Sequence, residues 1–577
     1  MHDQPNINAL WGALIIEELV RQGVDRFVIA PGSRSAPLVV AAARSGARTT
    51  VWLDERGAAF HAVGLARASG VPAAVITTSG TAVANLLPAV VESAMDGVPL
   101  VLLTADRPPE LRDVGANQTI EQAGIFGDYL RWSLDLPCPD DRVPARIALT
   151  AAAESVRRAL RDPGPVQLNC QFREPLAPDP APWNRDCLQG TEAWQVSGRP
   201  FTTFARTDVP DPEGVAETAT ALAEARRGLL VCGAAPWSER DAVRELADAL
   251  GWPWVTDVRS QLRFGNAAPA HLPHLDRLFG GQPERWEPDV VLQVGGSITS
   301  KRLRTFLDRG DAEHHVLIDP RPGRVDPGHR ATRRIEGPLG SWCRALAAAL
   351  PDRGNVRLDE ELSGLHARIE AAMDEAIDAD GGLSEPWVTR WLTQHMSAEH
   401  GLFLSSSLPI RDADDYGALN GPPLRVAANR GASGIDGVIA TAAGFAAGIG
   451  GPCTLLIGDL AALHDLNALA MLAPEIPPLT IVVLNNGGGA IFSLLPIAEH
   501  PDVFTPLFDT PHAHSFEGVC HGFGLRYARV ETRAAFADAY GGAAAGGHAV
   551  IEVASDMRAN RQAHHRIEDA VQGALAG

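Results

Sequence analysis

At 577 residues the chain is too long for one hydrophobic core, and ordinary domain sizes give roughly two to four domains. Its 45% hydrophobic and 21% charged residues are those of a globular protein, and a formal net charge of −20 argues against nucleic acid or anionic membrane as partners. Seven cysteines with no CxxC pair point to a reducing compartment and away from a disulfide framework or structural zinc.

The first stretch, MHDQPNINALWGALIIEELVRQG, reads as an amphipathic helix with Asn8 as candidate cap. It lacks the basic start and long apolar centre of a signal peptide. No apolar run of about 18 residues follows, so a cytoplasmic protein without a membrane span is expected. Next come the strand RFVIA, the turn PGSRS and the helix APLVVAAARSG. They are followed by TTVWLDE, a small-residue helix, AAVITT, the loop SGT, the helix AVANLLPAVVESAMDG and the strand PLVLLTA. Apolar strands alternating with helices indicate a parallel sheet covered on both faces. Residues 171–212, rich in Pro and Asp, read as a linker.

The rhythm then resumes with GLLVCGA, a helix near 238–250, PWVTDV, VVLQVGG, a helix near 300–308 and HHVLIDP. VGGSITSKR fails the G-x-G-x-x-G pattern, so no nucleotide site is expected there. A helical stretch near 356–398 leads to a third block. It holds GLFLSSSLPIRDAD as strand and loop, the strand LRVAAN with a Gly-rich loop and helix, CTLLIGD with the helix LAALHDLNALAMLAPEI, LTIVVLNN and HAVIEVAS. The fold class is α/β, with three successive doubly wound parallel-sheet domains.

Ligands of such sheets sit beyond the carboxyl ends of strands. Asp459 follows TLLIG; Asn485 and Asn486 follow LTIVVL, and 27 positions separate Asp459 from Asn486. That is about one strand–helix–strand passage, which puts a carboxylate and amides at neighbouring tips. With a glycine carbonyl they make an oxygen-only set suited to Mg²⁺. The plainer alternative is a helix-capping Asp459 and an NNGG hairpin turn. Glu55 is either a first-turn acid favoured by the helix dipole or a carboxyl for a heterocycle. Arg34, Arg107, Lys301, Arg302, Arg411 and Arg430 lie in Ser-, Gly- or Pro-rich loops near strand ends. Singly, each reads equally as a surface charge. Together, in an acidic chain, they suggest substrates with several carboxylates.

The motifs APGSRSAPL, DERG, TTSGTAVANLLPAVVE, LTADRPPELRDVGANQTI, KRL, NRGASGIDG, GDLAALHDLNAL and NNGGGAIFSLLP resemble those of thiamine diphosphate-dependent enzymes of the decarboxylase type. Within that type they are similar to the 2-succinyl-5-enolpyruvyl-6-hydroxy-3-cyclohexene-1-carboxylate synthase family of menaquinone biosynthesis. The resemblance implies a pyrimidine-binding domain over 1–180, a central domain without cofactor over 195–355 and a diphosphate-binding domain over 380–577. It further implies a homodimer or homotetramer with active sites at subunit interfaces. The implied cofactors are thiamine diphosphate and Mg²⁺ or Mn²⁺. The implied reaction decarboxylates 2-oxoglutarate and joins the remainder to isochorismate.

By the same resemblance Glu55 is the catalytic glutamate that hydrogen-bonds the aminopyrimidine N1′ of the cofactor, and Asp459, Asn486 and the Gly488 carbonyl hold the metal. Ser407, Ile435, Gly458, Leu460 and Ile491 complete the cofactor site. Ser33, Arg34, Arg107, Asn117, Gln118, Lys301, Arg302, Arg411, Arg430, Phe492 and Leu495 meet substrate. By residue type alone Ile491, Phe492 and Leu495 read as core. Four positions depart from the wider pattern. Leu460 stands in place of a glycine, Gly487 and Ala490 in place of Asn and Gln, and Ala461 where a hydroxyl is common. Two competitors are another thiamine diphosphate enzyme acting on a smaller oxoacid, and a non-catalytic binding protein on the same fold.

Overall fold

The computed structural model describes all residues except 206–208, 267, 282–285, 322, 352–359, 380, 545 and 577. The expected boundaries at 355, 380 and 577 and part of the 356–398 helix lie outside the described residues. Chain contacts group into two compact units. One holds Met1–Arg206, Asn429–Cys453 and Ala461–Leu479; the other holds Thr207–Ala428, Thr454–Leu460 and Thr480–Gly577.

The first unit is built on strands β1 (Arg26–Ile29), β2 (Arg48–Val51), β3 (Ala73–Thr77), β4 (Leu100–Asp106), β5 (Trp132–Leu136) and β6 (Pro165–Gln171). Their order is β2-β1-β3-β4-β6-β5, all parallel. β3, β4 and β6 are buried throughout, as continuous apolar runs require. The strands β5 and β6 have no counterpart in the sequence reading. β6 carries Gln167, Asn169 and Gln171, whose polar side chains hide the apolar pattern. Their amide N–H groups are taken up by neighbours: Asn169 Nδ2 donates to Asp106 and Asp135 at 2.9 and 2.8 Å, and Gln171 Nε2 to Asp135 at 3.0 Å.

Three local readings are corrected. The first helix, Ile7–Arg21, is capped by Asn6, whose side chain accepts from Ala9 N at 2.9 Å. Asn8 instead reaches the carbonyls of Arg173 and Pro175 at 2.7 and 2.8 Å. The helix expected over AVANLLPAVVESAMDG breaks into Thr81–Ala84 and Leu87–Asp96, because Pro88 has no N–H to continue the ladder. The linker composition of 171–212 conceals an ordered strap. Phe172, Leu176, Cys187, Leu188 and Trp194 join the first core, and Trp194 Nε1 donates to the buried Glu18 at 2.7 Å.

Two small-residue helices of this unit, Glu55–Ser69 and Val438–Ile449, cross at glycines. A Cβ on Gly64 would lie 2.1 Å from the Thr441 carbonyl oxygen, and one on Gly444 would lie 2.0 Å from that of His61.

The second unit carries two sheets. β7 (Gly228–Cys232), β8 (Trp254–Thr256), β9 (Val290–Val294), β10 (His314–Ile318) and β11 (Arg333–Ile335) run in the order β11-β10-β9-β7-β8. β12 (Gly401–Leu404), β13 (Arg425–Ala428), β14 (Cys453–Gly458), β15 (Leu479–Asn485), β16 (Arg526–Val530) and β17 (Ala549–Ala554) run in the order β13-β12-β14-β15-β17-β16. SLPIRDAD is no loop: Leu408–Tyr416 is helical, burying Leu408, Ile410, Ala413 and Tyr416. The helix read over 460–476 is cut to Asp459–His464 and a 3-10 turn over Leu466–Met471. At that break Asp465 caps the neighbouring helix, accepting from Ala440 N at 3.0 Å. All seven cysteines are buried and unbridged. No helix among the described residues is long and apolar enough to cross a membrane.

Candidate functional site

In the second unit β14 and β15 are neighbours, so the residues after them share one sheet edge. Asp459 is buried there. Its Oδ1 accepts the Leu460 N–H at 2.6 Å, and its Oδ2 accepts those of Gly487 and Gly488 at 2.9 and 3.0 Å. Burial pushes this carboxyl up, opposed by those N–H groups and by the nearby His512 ring, whose Nε2 is 3.3 Å away. No hairpin forms. Gly487 has φ +78°, and a Cβ on Gly488 would lie 2.3 Å from the Asp509 carbonyl oxygen. The turn therefore demands glycine and exposes backbone. The residues that close over it, Asp509 and His512, were not foreseen: Gly489 N donates to Asp509 O at 2.7 Å and His512 N to Gly487 O at 2.9 Å.

The two asparagines separate. Asn485 is tied up, its Nδ2 donating to Glu552 Oε1 at 2.9 Å and to the His514 carbonyl at 3.0 Å. Asn486 donates Nδ2 to Glu385 Oε1 at 2.9 Å, while its Oδ1 is buried without a partner. Glu385 was also missed, since an acid opening the helix Glu385–His395 reads as an ordinary dipole contact. It is fully buried, and burial, with a further push from Asp459, raises its carboxyl to about 7. An orphaned buried oxygen beside a buried carboxylate and a bare glycine turn fits a hard dication with a diphosphate. Among the described residues no three His, Cys, Asp or Glu gather as metal ligands, so a cation here would rest on amide, carbonyl and phosphate oxygens besides Asp459.

Around this edge Gly458 and Leu460 are half-buried, and Ser407 enters its helix at φ +76° with its carbonyl accepting from Arg411. Ile491 and Phe492 are half-buried and Leu495 is 46% exposed; Phe492 meets Phe508 edge-on at 5.8 Å. Arg302 is held by Asp276 and Asp415, at 3.2 Å from the former. Lys301 beside it is exposed. At the β7–β9 edge a Cβ on Gly233 would lie 2.1 Å from the Gly296 carbonyl oxygen, so the two strand-end backbones approach closely.

The first unit holds the other residues. Glu55 opens its helix half-buried, and its Oε2 accepts from Asn85 Nδ2 at 3.2 Å. Asn85 sits at the helix break before Pro88, so the break supplies this donor. Arg34 follows β1 and donates to the Phe172 carbonyl at 2.9 Å. Arg107 follows β4 and donates to Ser79 Oγ, and Gln118 Nε2 donates to the Ser79 carbonyl at 3.0 Å. Burial and then the Arg34 charge lower Arg107 from its ordinary value, so the two guanidiniums share one neighbourhood. Ser33 and Asn117 are exposed. Arg430 is half-buried, and the chain after it is clamped by Glu92, which accepts from Gly431 N at 3.0 Å and Ala432 N at 2.7 Å. Ile435 is 37% exposed.

Family models match three stretches: the N-terminal TPP binding domain of thiamine pyrophosphate enzymes over 11–125, their middle domain over 185–404 and their C-terminal TPP binding domain over 417–553. The 2-succinyl-5-enolpyruvyl-6-hydroxy-3-cyclohexene-1-carboxylate synthase of Rubrobacter xylanophilus is 49% identical over 98% of both chains. The synthase of the same name from Salinibacter ruber is 46% identical over 99% of this chain and 98% of its own. A solved structure of a candidate thiamin diphosphate-dependent enzyme from Mycobacterium smegmatis aligns with TM-score 0.70 over 95% of this chain and 99% of that one. At 18% identity it speaks for fold alone.

Proposed function

This chain belongs to the 2-succinyl-5-enolpyruvyl-6-hydroxy-3-cyclohexene-1-carboxylate synthase family of thiamine diphosphate enzymes, and we propose that it is the menaquinone-pathway transferase joining 2-oxoglutarate to isochorismate with release of CO₂. The observation that carries the proposal is the cluster of Asp459, the Gly487–Gly488 backbone and the donorless Asn486 Oδ1 at adjacent strand ends.

Thiamine diphosphate, when bound, supplies an electron sink for loss of the oxoacid carboxylate. Asp459, Asn486 and the Gly488 carbonyl would hold Mg²⁺ or Mn²⁺, with Ser407, Gly458 and Leu460 against the diphosphate and Ile435 and Ile491 against the rings. Glu55 would exchange a proton with the aminopyrimidine at Oε1, while Asn85 holds Oε2. Arg34 and Arg107 repel each other, and a substrate carboxylate relieves that repulsion. Ser33, Asn117 and Gln118 lie in the same loops. Arg411, Arg430, Lys301 and Arg302 are the further cations assigned to substrate; Arg302 must exchange part of its pairing with Asp276 and Asp415 to serve. Phe492 and Leu495 form an apolar wall that keeps water from the reacting carbon.

The domains assigned are 1–180 for the pyrimidine, 195–355 without cofactor and 380–577 for the diphosphate. A homodimer or homotetramer in the cytoplasm is the working assembly. Exposed Val51, Leu53 and Val114 on the first unit supply apolar surface for a second copy. The test is CO₂ release with isochorismate, 2-oxoglutarate, thiamine diphosphate and Mg²⁺, omitting each in turn. Full dependence on all four is expected. A preference for pyruvate over 2-oxoglutarate, or turnover without isochorismate, overturns the reading.

A further inference from the structure

Asn486 presents an amide that can bind a cation only through Oδ1. Rotated half a turn, it would aim its NH₂ group at the cation instead. Something must fix which end faces the site. Glu385 Oε1 accepts from Asn486 Nδ2 at 2.9 Å, and the same oxygen takes a second donor, Ser555 Oγ, at 3.3 Å. Ser555 lies just past β17, and its N–H donates to the Asn485 carbonyl at 3.0 Å. The Glu385 main-chain N–H donates to Asn560 Oδ1 at 3.3 Å, in the helix Met557–Ala576. Glu385 is thus fixed from three directions, and its acceptor faces the one amide that needs orienting.

Its other oxygen, Oε2, is buried without a hydrogen-bond partner. A carboxyl in that state costs stability, and packing alone would favour an apolar or amide side chain there. Its place is explained by what it does to Asn486.

We propose that Glu385 is the positioning residue of the cation site: it holds Asn486 Nδ2 so that Oδ1 alone faces the metal. The proposal rests on the reading of Asp459, Asn486 and Gly488 as cation ligands. Partners one step removed from a metal ligand change affinity by about 10- to 100-fold when lost.

The test uses the full chain with saturating thiamine diphosphate and follows Mg²⁺ binding by calorimetry, with thermal melting of the cofactor-free protein alongside. Glu385→Ala is expected to weaken Mg²⁺ binding by about 10-fold or more. Glu385→Gln keeps an acceptor oxygen and should lose far less. In the Asn486→Ala background, Glu385→Ala should cost nothing further. Neither Glu385 variant should lower the melting temperature of the cofactor-free protein. Normal Mg²⁺ binding in Glu385→Ala, beside weakened binding in Asn486→Ala, overturns the proposal. So does a loss in Glu385→Gln equal to that in Glu385→Ala, since charge rather than orientation would then be at work. Normal binding in Asn486→Ala itself overturns the cation site and this inference with it.

Discussion

Glu55 and Asn486 are the single residues on which the proposed chemistry turns. Glu55→Gln keeps the side chain's shape and removes its capacity to give and take a proton. CO₂ release should fall by about 10²-fold or more, with thiamine diphosphate still bound in calorimetry. Wild-type turnover would refute the assignment. Asn486→Ala should weaken combined binding of cofactor and Mg²⁺ by about 10-fold or more while the cofactor-free melting temperature barely moves. A fall in that melting temperature with binding intact would return the segment to a mere turn. Asp459 and the Asn pair were legible because strand-end position and the spacing of a βαβ passage can be counted in the sequence. That Asn485 is consumed by Glu552 was not, nor that Glu385 lies against Asn486. Both pairings join residues far apart in the chain, which no local pattern records. The engagement of Arg302 by Asp276 and Asp415 was hidden for the same reason.

The crossing of Glu55–Ser69 with Val438–Ile449 shows what small residues in a helix are for. Gly64→Ala must displace the backbone at Thr441, and a loss of about 1–3 kcal/mol is expected in denaturant titration. Unchanged stability would mean that the crossing gives way. His61 sits at the same crossing, fully buried against Trp52 at 4.8 Å, and burial pushes it down to about 3. Unfolded, it binds a proton below about 6.5. Between those values the unfolded chain holds the extra proton, so this residue removes stability as pH falls, by up to about 1.4 kcal/mol per pH unit. His61→Leu should therefore flatten the stability profile between pH 6 and pH 4 by one proton, and parallel profiles would exclude the assignment. Most of the parallel strands were readable from their apolar runs, but β5, β6, β11 and β16 were not. β6 escaped because its alternate positions carry amides that bond within the unit, and the strap escaped because Pro-rich composition says nothing of the tertiary contacts that hold it.

For the whole molecule, the two TPP-binding matches flank a middle domain, and the proposed homo-oligomer is the assembly to test. Light scattering should report a dimer or tetramer. Leu53→Asp, at a side 73% exposed in one chain, should shift it toward smaller species that stay folded but lose most activity. An unchanged assembly would remove that surface from the interface. The three-sheet plan was legible from the alternation of strand and helix, while subunit count was not, because one chain's pattern carries no symmetry. The buried cysteines have a consequence at this scale. Burial pushes the Cys343 thiol up to about 12 and the Cys520 thiol to about 11, so the folded protein offers a thiol-modifying reagent almost nothing to attack. Labelling then becomes a clock for opening. Cys170 in β6, Cys232 in β7 and Cys453 in β14 each belong to a different sheet, and mass spectrometry of the tagged peptides would tell which sheet breathes first.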